Sequence, residues 1–87
     1  MSAPLFSQRL VTAPQLGQLL RTQRKSRKLT QSQIAQRVAL SQNRVSYLEK
    51  HPEDVSFGQL LSWCAVLGLE LHLQLPDPTK STSVSEW

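Results

Sequence analysis

The sequence is poor in the residues that build catalytic and metal sites. Its 87 residues include one cysteine, Cys64. No internal disulfide can form, and a lone thiol suits a reducing compartment such as the cytoplasm. Three glycines, Gly17, Gly58 and Gly68, are too few to build a phosphate-cradling loop. The two histidines, His51 and His72, are dispersed from each other and from Cys64. That is weak support for zinc, so no metal and no cofactor are expected. No Ser-His-Asp arrangement or paired-carboxylate pattern occurs, and a chain this short leaves little room for a substrate cleft. An enzyme is not expected. No apolar run approaches the ~18 residues of a membrane span. The start of the chain lacks a basic segment followed by a long apolar core, so a secretory signal is not expected either.

What is present is charge of one sign, placed at one end. The net charge is +4. Residues 1–50 hold Arg9, Arg21, Arg24, Lys25, Arg27, Lys28, Arg37, Arg44 and Lys50 against the single acid Glu49, a balance of +8. Residues 51–87 hold Lys80 against Glu53, Asp54, Glu70, Asp77 and Glu86, a balance of −4. A basic cluster attracts phosphate and gains by counterion release. The blander alternative is a solvated helix face. The acidic second half argues against a membrane-surface binder.

Hydrophobic spacing predicts one all-α domain. Thr12 with Gln15 reads as a capping box, and Leu16, Leu19 and Leu20 follow at helical spacing. This first helix runs through the basic cluster toward Lys28. Thr30 with Gln33 opens a second helix, 31–38, with Ile34, Ala35 and Val38 on one side. Ser41 opens a third, 42–50, with Val45 and Leu48 inward, and Pro52 stops it. Residues 51–55 read as a loop. Ser56 with Gln59 opens a fourth helix carrying Leu60, Leu61, Cys64 and Leu67. Phe57 and Trp63 extend its apolar face, and Gly68 supplies its stop. Cys64 reads as a buried structural thiol and Trp63 as a core or interface residue. The period then changes. Leu69, Leu71, Leu73 and Leu75 alternate with polar residues, which predicts a strand over 69–75. Residues 1–11 read as an arm and 76–87 as a flexible tail.

Helix 31–38, a tight turn and helix 42–50 make a helix-turn-helix. Packing the two apolar stripes together lifts the outer face of the second helix clear. That face carries Gln42, Asn43, Ser46 and Tyr47, flanked by Ser41 and Arg44. Gln and Asn amides can pair bidentately with adenine, and Arg44 with guanine or phosphate. Arg21, Arg24 and Lys28, with Gln31, Ser41 and Arg44, are the candidates for DNA backbone contact.

Residues 29–50, LTQSQIAQRVALSQNRVSYLEK, resemble the helix-turn-helix of the phage-repressor and Cro-like family of DNA-binding proteins. The likeness extends over about 16–69, and LTQ…IA…V…S…VS.LE is its skeleton. It implies a four- to five-helix domain over 12–68, with Gln31 on phosphate, Gln42, Asn43, Ser46 and Tyr47 toward bases, and Arg44 near the backbone. Two departures stand out. Ala39 occupies a turn position often held by Gly, which implies a slightly altered turn, and Tyr47 is bulkier than the usual residue.

A narrower resemblance rests on LELHLQL and the terminal Glu86-Trp87. These look like the antitoxin of high-persistence toxin–antitoxin modules. That likeness implies a homodimer whose 69–75 strands, with Leu69, Leu71, Leu73 and Leu75, pair as an intersubunit β-lid. It further implies a palindromic operator in double-stranded DNA, a serine/threonine kinase toxin as partner, and Trp87 as the toxin contact. Independently, a lone strand with an exposed row of leucines calls for a partner. Pairing within the chain to residues 5–11 is the alternative. The rival readings of function are a phage-type repressor without a toxin and a protein-interaction adaptor that does not read DNA.

Overall fold

Each helix begins where the sequence places a cap. In a computed structural model, which describes residues 7–75, the order is α1 (Ala13–Ser26), α2 (Gln31–Val38), α3 (Gln42–Lys50), one 3-10 turn (Pro52–Asp54) and α4 (Phe57–Leu67). Ahead of α2, Thr30 Oγ1 accepts from the Gln33 N–H at 3.0 Å, and Gln33 Oε1 accepts from the Thr30 N–H at 2.8 Å. Ser56 and Gln59 make the same exchange ahead of α4, both bonds at 3.0 Å. Gln15 Oε1 accepts from the Thr12 N–H at 3.0 Å ahead of α1. Ser41 Oγ accepts from the Arg44 N–H at 3.0 Å and caps α3. These bonds satisfy N–H groups that a helix start leaves without partners.

Three helices end alike. Lys28, Ala39 and Gly68 adopt the left-handed conformation, with φ of 58°, 61° and 71°. The N–H of the next residue then reaches back five positions: Leu29 to Arg24 at 3.0 Å, Leu40 to Ala35 at 3.0 Å, and Leu69 to Cys64 at 2.8 Å. This closure satisfies carbonyls at the helix end and turns the chain sharply. It also explains why α1 stops at Ser26, short of Lys28. Part of the expected loop over 51–55 is the 3-10 turn.

The core forms where the helical stripes meet. Leu20 of α1, Ile34, Ala35 and Val38 of α2, Val45 and Leu48 of α3, and Trp63 and Leu67 of α4 are buried together. Trp63 is a core residue. Cys64 is buried beside it, and burial pushes its thiol pKa up. Along α4 the inner face is Leu60, Trp63, Cys64 and Leu67, so Phe57 and Leu61 point to solvent and do not extend the core. Gly17 lets α1 approach α3 closely: a Cβ there would lie 2.4 Å from the Glu49 carbonyl oxygen.

The described residues contain no strand. Leu69 packs against the core, but Leu73 and Leu75 remain 92% and 89% exposed. A strand needs a neighbour to accept its ladder bonds, and no described segment of this single chain supplies one. The leucine alternation therefore ends in a solvent-exposed row. The possible partner segment 5–11 is only partly described, and its residues 7–11 are not in a strand. Trp87 and the rest of 76–87 lie outside the described residues.

Candidate nucleic-acid interface

The apolar side chains Val45 and Leu48 fix the orientation of α3 by seating it on the core. The opposite side then faces out. Asn43, Tyr47 and Lys50 are exposed and Ser46 is half-buried, at positions i, i+4, i+7 and i+3 of one stripe. Gln42 and Arg44 are exposed at the helix start. Of the base-reading candidates, Gln42, Asn43, Ser46 and Tyr47 are thus all on or beside the outward face. Lys50 joins them. Its spacing from Asn43 and Tyr47 was already visible in the sequence, and it adds a cation to the far end of the stripe.

The backbone-contact candidates divide into two groups. Arg21, Lys28, Ser41 and Arg44 are exposed. The Ser41 hydroxyl oxygen serves as the α3 cap, which leaves its O–H as a donor. Arg24 is different. It is buried, and its guanidinium forks onto Glu49 at 2.7 and 3.1 Å while donating to the Leu29 carbonyl at 3.1 Å. Gln31 donates to the same Glu49 carboxylate at 3.1 Å. Arg24 therefore lies inside the fold rather than on its basic surface. The sequence could not separate Arg24 from its neighbours, because its partner is 25 positions away. The bidentate pair ties α1 to α3, and the Gln31 bond adds α2.

Tyr47 is held on three sides. Its ring stacks on His51 with centroids 4.5 Å apart. The Arg44 guanidinium carbon lies over the ring, 5.1 Å from its centroid. Its hydroxyl donates to the Asp54 carboxylate. That hydrogen bond raises the phenol pKa above its ordinary value, with slight desolvation and the Asp54 charge acting the same way.

The electrostatics of residues 7–50 are one-sided. Arg9, Arg21, Lys25, Arg27, Lys28, Arg37, Arg44 and Lys50 are all exposed, and the single acid, Glu49, is buried and neutralised by Arg24. Among the described residues, none of those exposed cations makes an ion pair. Nor do three His, Cys, Asp or Glu side chains gather as metal ligands there. No helix there is long and apolar enough to cross a membrane.

Two short helices crossing on a shared core, joined by the turn 39–41, with the second presenting a polar face among unpaired cations, define a helix-turn-helix of the DNA-binding class. A family model described as a helix-turn-helix domain matches residues 15–74. The chain belongs to this family, which places it among DNA-binding regulators. Neither a curated protein nor a solved structure matches the chain.

Proposed function

We propose that the protein is a sequence-specific DNA-binding repressor that acts as a homodimer. The observation that carries the reading is the exposed face of α3, where Gln42, Asn43, Arg44, Tyr47 and Lys50 stand together while the one acid of the helix, Glu49, is buried against Arg24 and the neighbouring Asp54 is engaged by the Tyr47 hydroxyl. Gln42, Asn43, Ser46 and Tyr47 meet base edges in the major groove. Arg21, Lys28, Ser41, Arg44 and Lys50 hold phosphates, and Gln31 offers its second amide N–H. Arg24 supports the site indirectly, by fixing α3 through Glu49. The exposed leucines Leu71, Leu73 and Leu75 and the backbone beside them are satisfied when the 69–75 segment of a second copy pairs with them. A two-fold pair then sets two α3 helices about one DNA turn apart, which suits a palindromic operator.

The finer reading is an antitoxin that represses its own operon and binds a serine/threonine kinase toxin. Its support is the likeness of LELHLQL and Glu86-Trp87 to such antitoxins, with Trp87 as the toxin contact. The first experiment is a titration of the DNA upstream of the protein's own gene against a scrambled duplex. The expected result is tight binding of two chains per site to the upstream duplex alone. Gln42→Ala should weaken that binding by about 1–3 kcal/mol and leave the scrambled duplex unaffected. Equal loss on both duplexes removes Gln42 from base reading. Equal, weak wild-type binding to both overturns sequence-specific recognition and favours the adaptor.

A further inference from the structure

The surroundings of Tyr47 restrict what it can offer to DNA. His51 covers one aromatic contact at 4.5 Å between centroids, and Arg44 lies over the ring at 5.1 Å. The one O–H donor of the phenol is already given to Asp54. Asp54 is itself held in the 3-10 turn, where its N–H donates to the His51 carbonyl at 3.0 Å. Yet Tyr47 remains 40% exposed on the outward stripe of α3, between Asn43 and Lys50. With its donor taken, what the exposed side chain can still offer is the apolar carbon surface of its ring, besides the acceptor capacity of its oxygen.

We infer that Tyr47 reads DNA through this carbon surface, as an apolar receptor for the C5-methyl group of a pyrimidine, and not through its hydroxyl. Thymine carries that methyl in the major groove; cytosine lacks it. A fixed ring is suited to the task because little side-chain freedom remains to be lost on contact. Asp54 and His51 are positioning residues: they touch Tyr47 and not the base. The inference rests on the proposed base-reading role of α3 and specifies one of its contacts.

The test starts with selection of duplexes by the full chain from a pool of random sequence. Each thymine in the selected site is then replaced in turn by deoxyuridine, which removes only the methyl. At one position the replacement should weaken wild-type binding about threefold to tenfold, the range expected for one buried methyl. Tyr47→Ala should bind both versions equally. Tyr47→Phe keeps the ring but loses the bond to Asp54, so it should keep a discrimination smaller than that of the wild type. Tyr47 is exposed, so these variants are expected to fold, and their circular dichroism checks it. If Tyr47→Ala discriminates between the two versions as the wild type does, the ring is not the reader and the inference falls. If a site is selected but no thymine replacement depends on Tyr47, the inference falls while base reading by α3 stands. If no sequence is enriched at all, sequence-specific recognition itself fails, and the inference with it.

Discussion

Ala39 and Lys28 occupy a backbone conformation that crowds a Cβ against the neighbouring carbonyl. At Gly68 the same conformation carries no such cost. The turn at Ala39 is nonetheless fully formed, with φ 61°, ψ 42° and its closing bond to Ala35 intact. The expected alteration of the turn is thus absent, and the cost remains as strain. Ala39→Gly should therefore stabilise the fold by about 0.5–1 kcal/mol, after the greater freedom of glycine in the unfolded chain is counted. Urea unfolding measures it; a loss of stability would show that the strain is negligible. Glu49 is the opposite case, a residue whose removal harms. Glu49→Ala leaves the Arg24 guanidinium buried without its partner, and should cost about 3–5 kcal/mol. A loss below about 1 kcal/mol would mean that water replaces the carboxylate at little cost. Glu49 looked like an isolated acid in a basic segment. Its burial opposite Arg24 depends on how α3 crosses α1, which no local pattern specifies.

At the scale of the element, the helix starts were legible because their causes are local. A Ser or Thr followed three residues later by Gln carries both halves of a reciprocal hydrogen bond, and Thr30–Gln33 and Ser56–Gln59 form it in full. The helix-turn-helix was legible for the same reason: its two stripes and its turn fall within 29–50. The inner face of α4 was only partly so. Leu60 and Leu61 are equally apolar neighbours, and only the position of Trp63 in the core selects Leu60. The approach of α1 to α3 is likewise set by packing. Gly17→Ala would gain about 1 kcal/mol of helix propensity. The new Cβ would press on the Glu49 carbonyl, which is backbone and cannot swing aside. Overpacking of this kind costs about 1–3 kcal/mol, so a net loss of stability is expected in thermal unfolding. A more stable variant would show that the two helices separate freely.

At the scale of the whole molecule, the division of charge becomes a division of surface. Eight of the nine cations of residues 7–50 stay exposed while Arg24 is withdrawn together with the one acid, Glu49, so the positive field over this surface is stronger than the net charge of +4 suggests. Binding to any duplex should accordingly weaken as salt rises. The second whole-molecule feature is the leucine row of 69–75, apolar and unpaired. In the proposed homodimer it is the seam. The double variant Leu73→Lys, Leu75→Lys should sediment as a monomer with unchanged helix content, because neither side chain touches the core. A variant that stays dimeric would place the interface elsewhere, and a monomeric wild type would overturn the dimer.

The sequence by itself determined the four helices, their caps, the helix-turn-helix and the polar face of α3. Those follow from hydrogen bonds and periodicities that span a few residues. It also determined the leucine alternation of 69–75, though not what pairs with it, since a ladder needs a second strand from outside the segment. Only the tertiary structure decided that Arg24 is buried against Glu49 rather than exposed for phosphate. It alone decided that the Tyr47 hydroxyl is held by Asp54 of the 3-10 turn. Both depend on side chains from different elements meeting in space. A cation in a basic run and a tyrosine on a helix look the same in the sequence whether a partner reaches them or not.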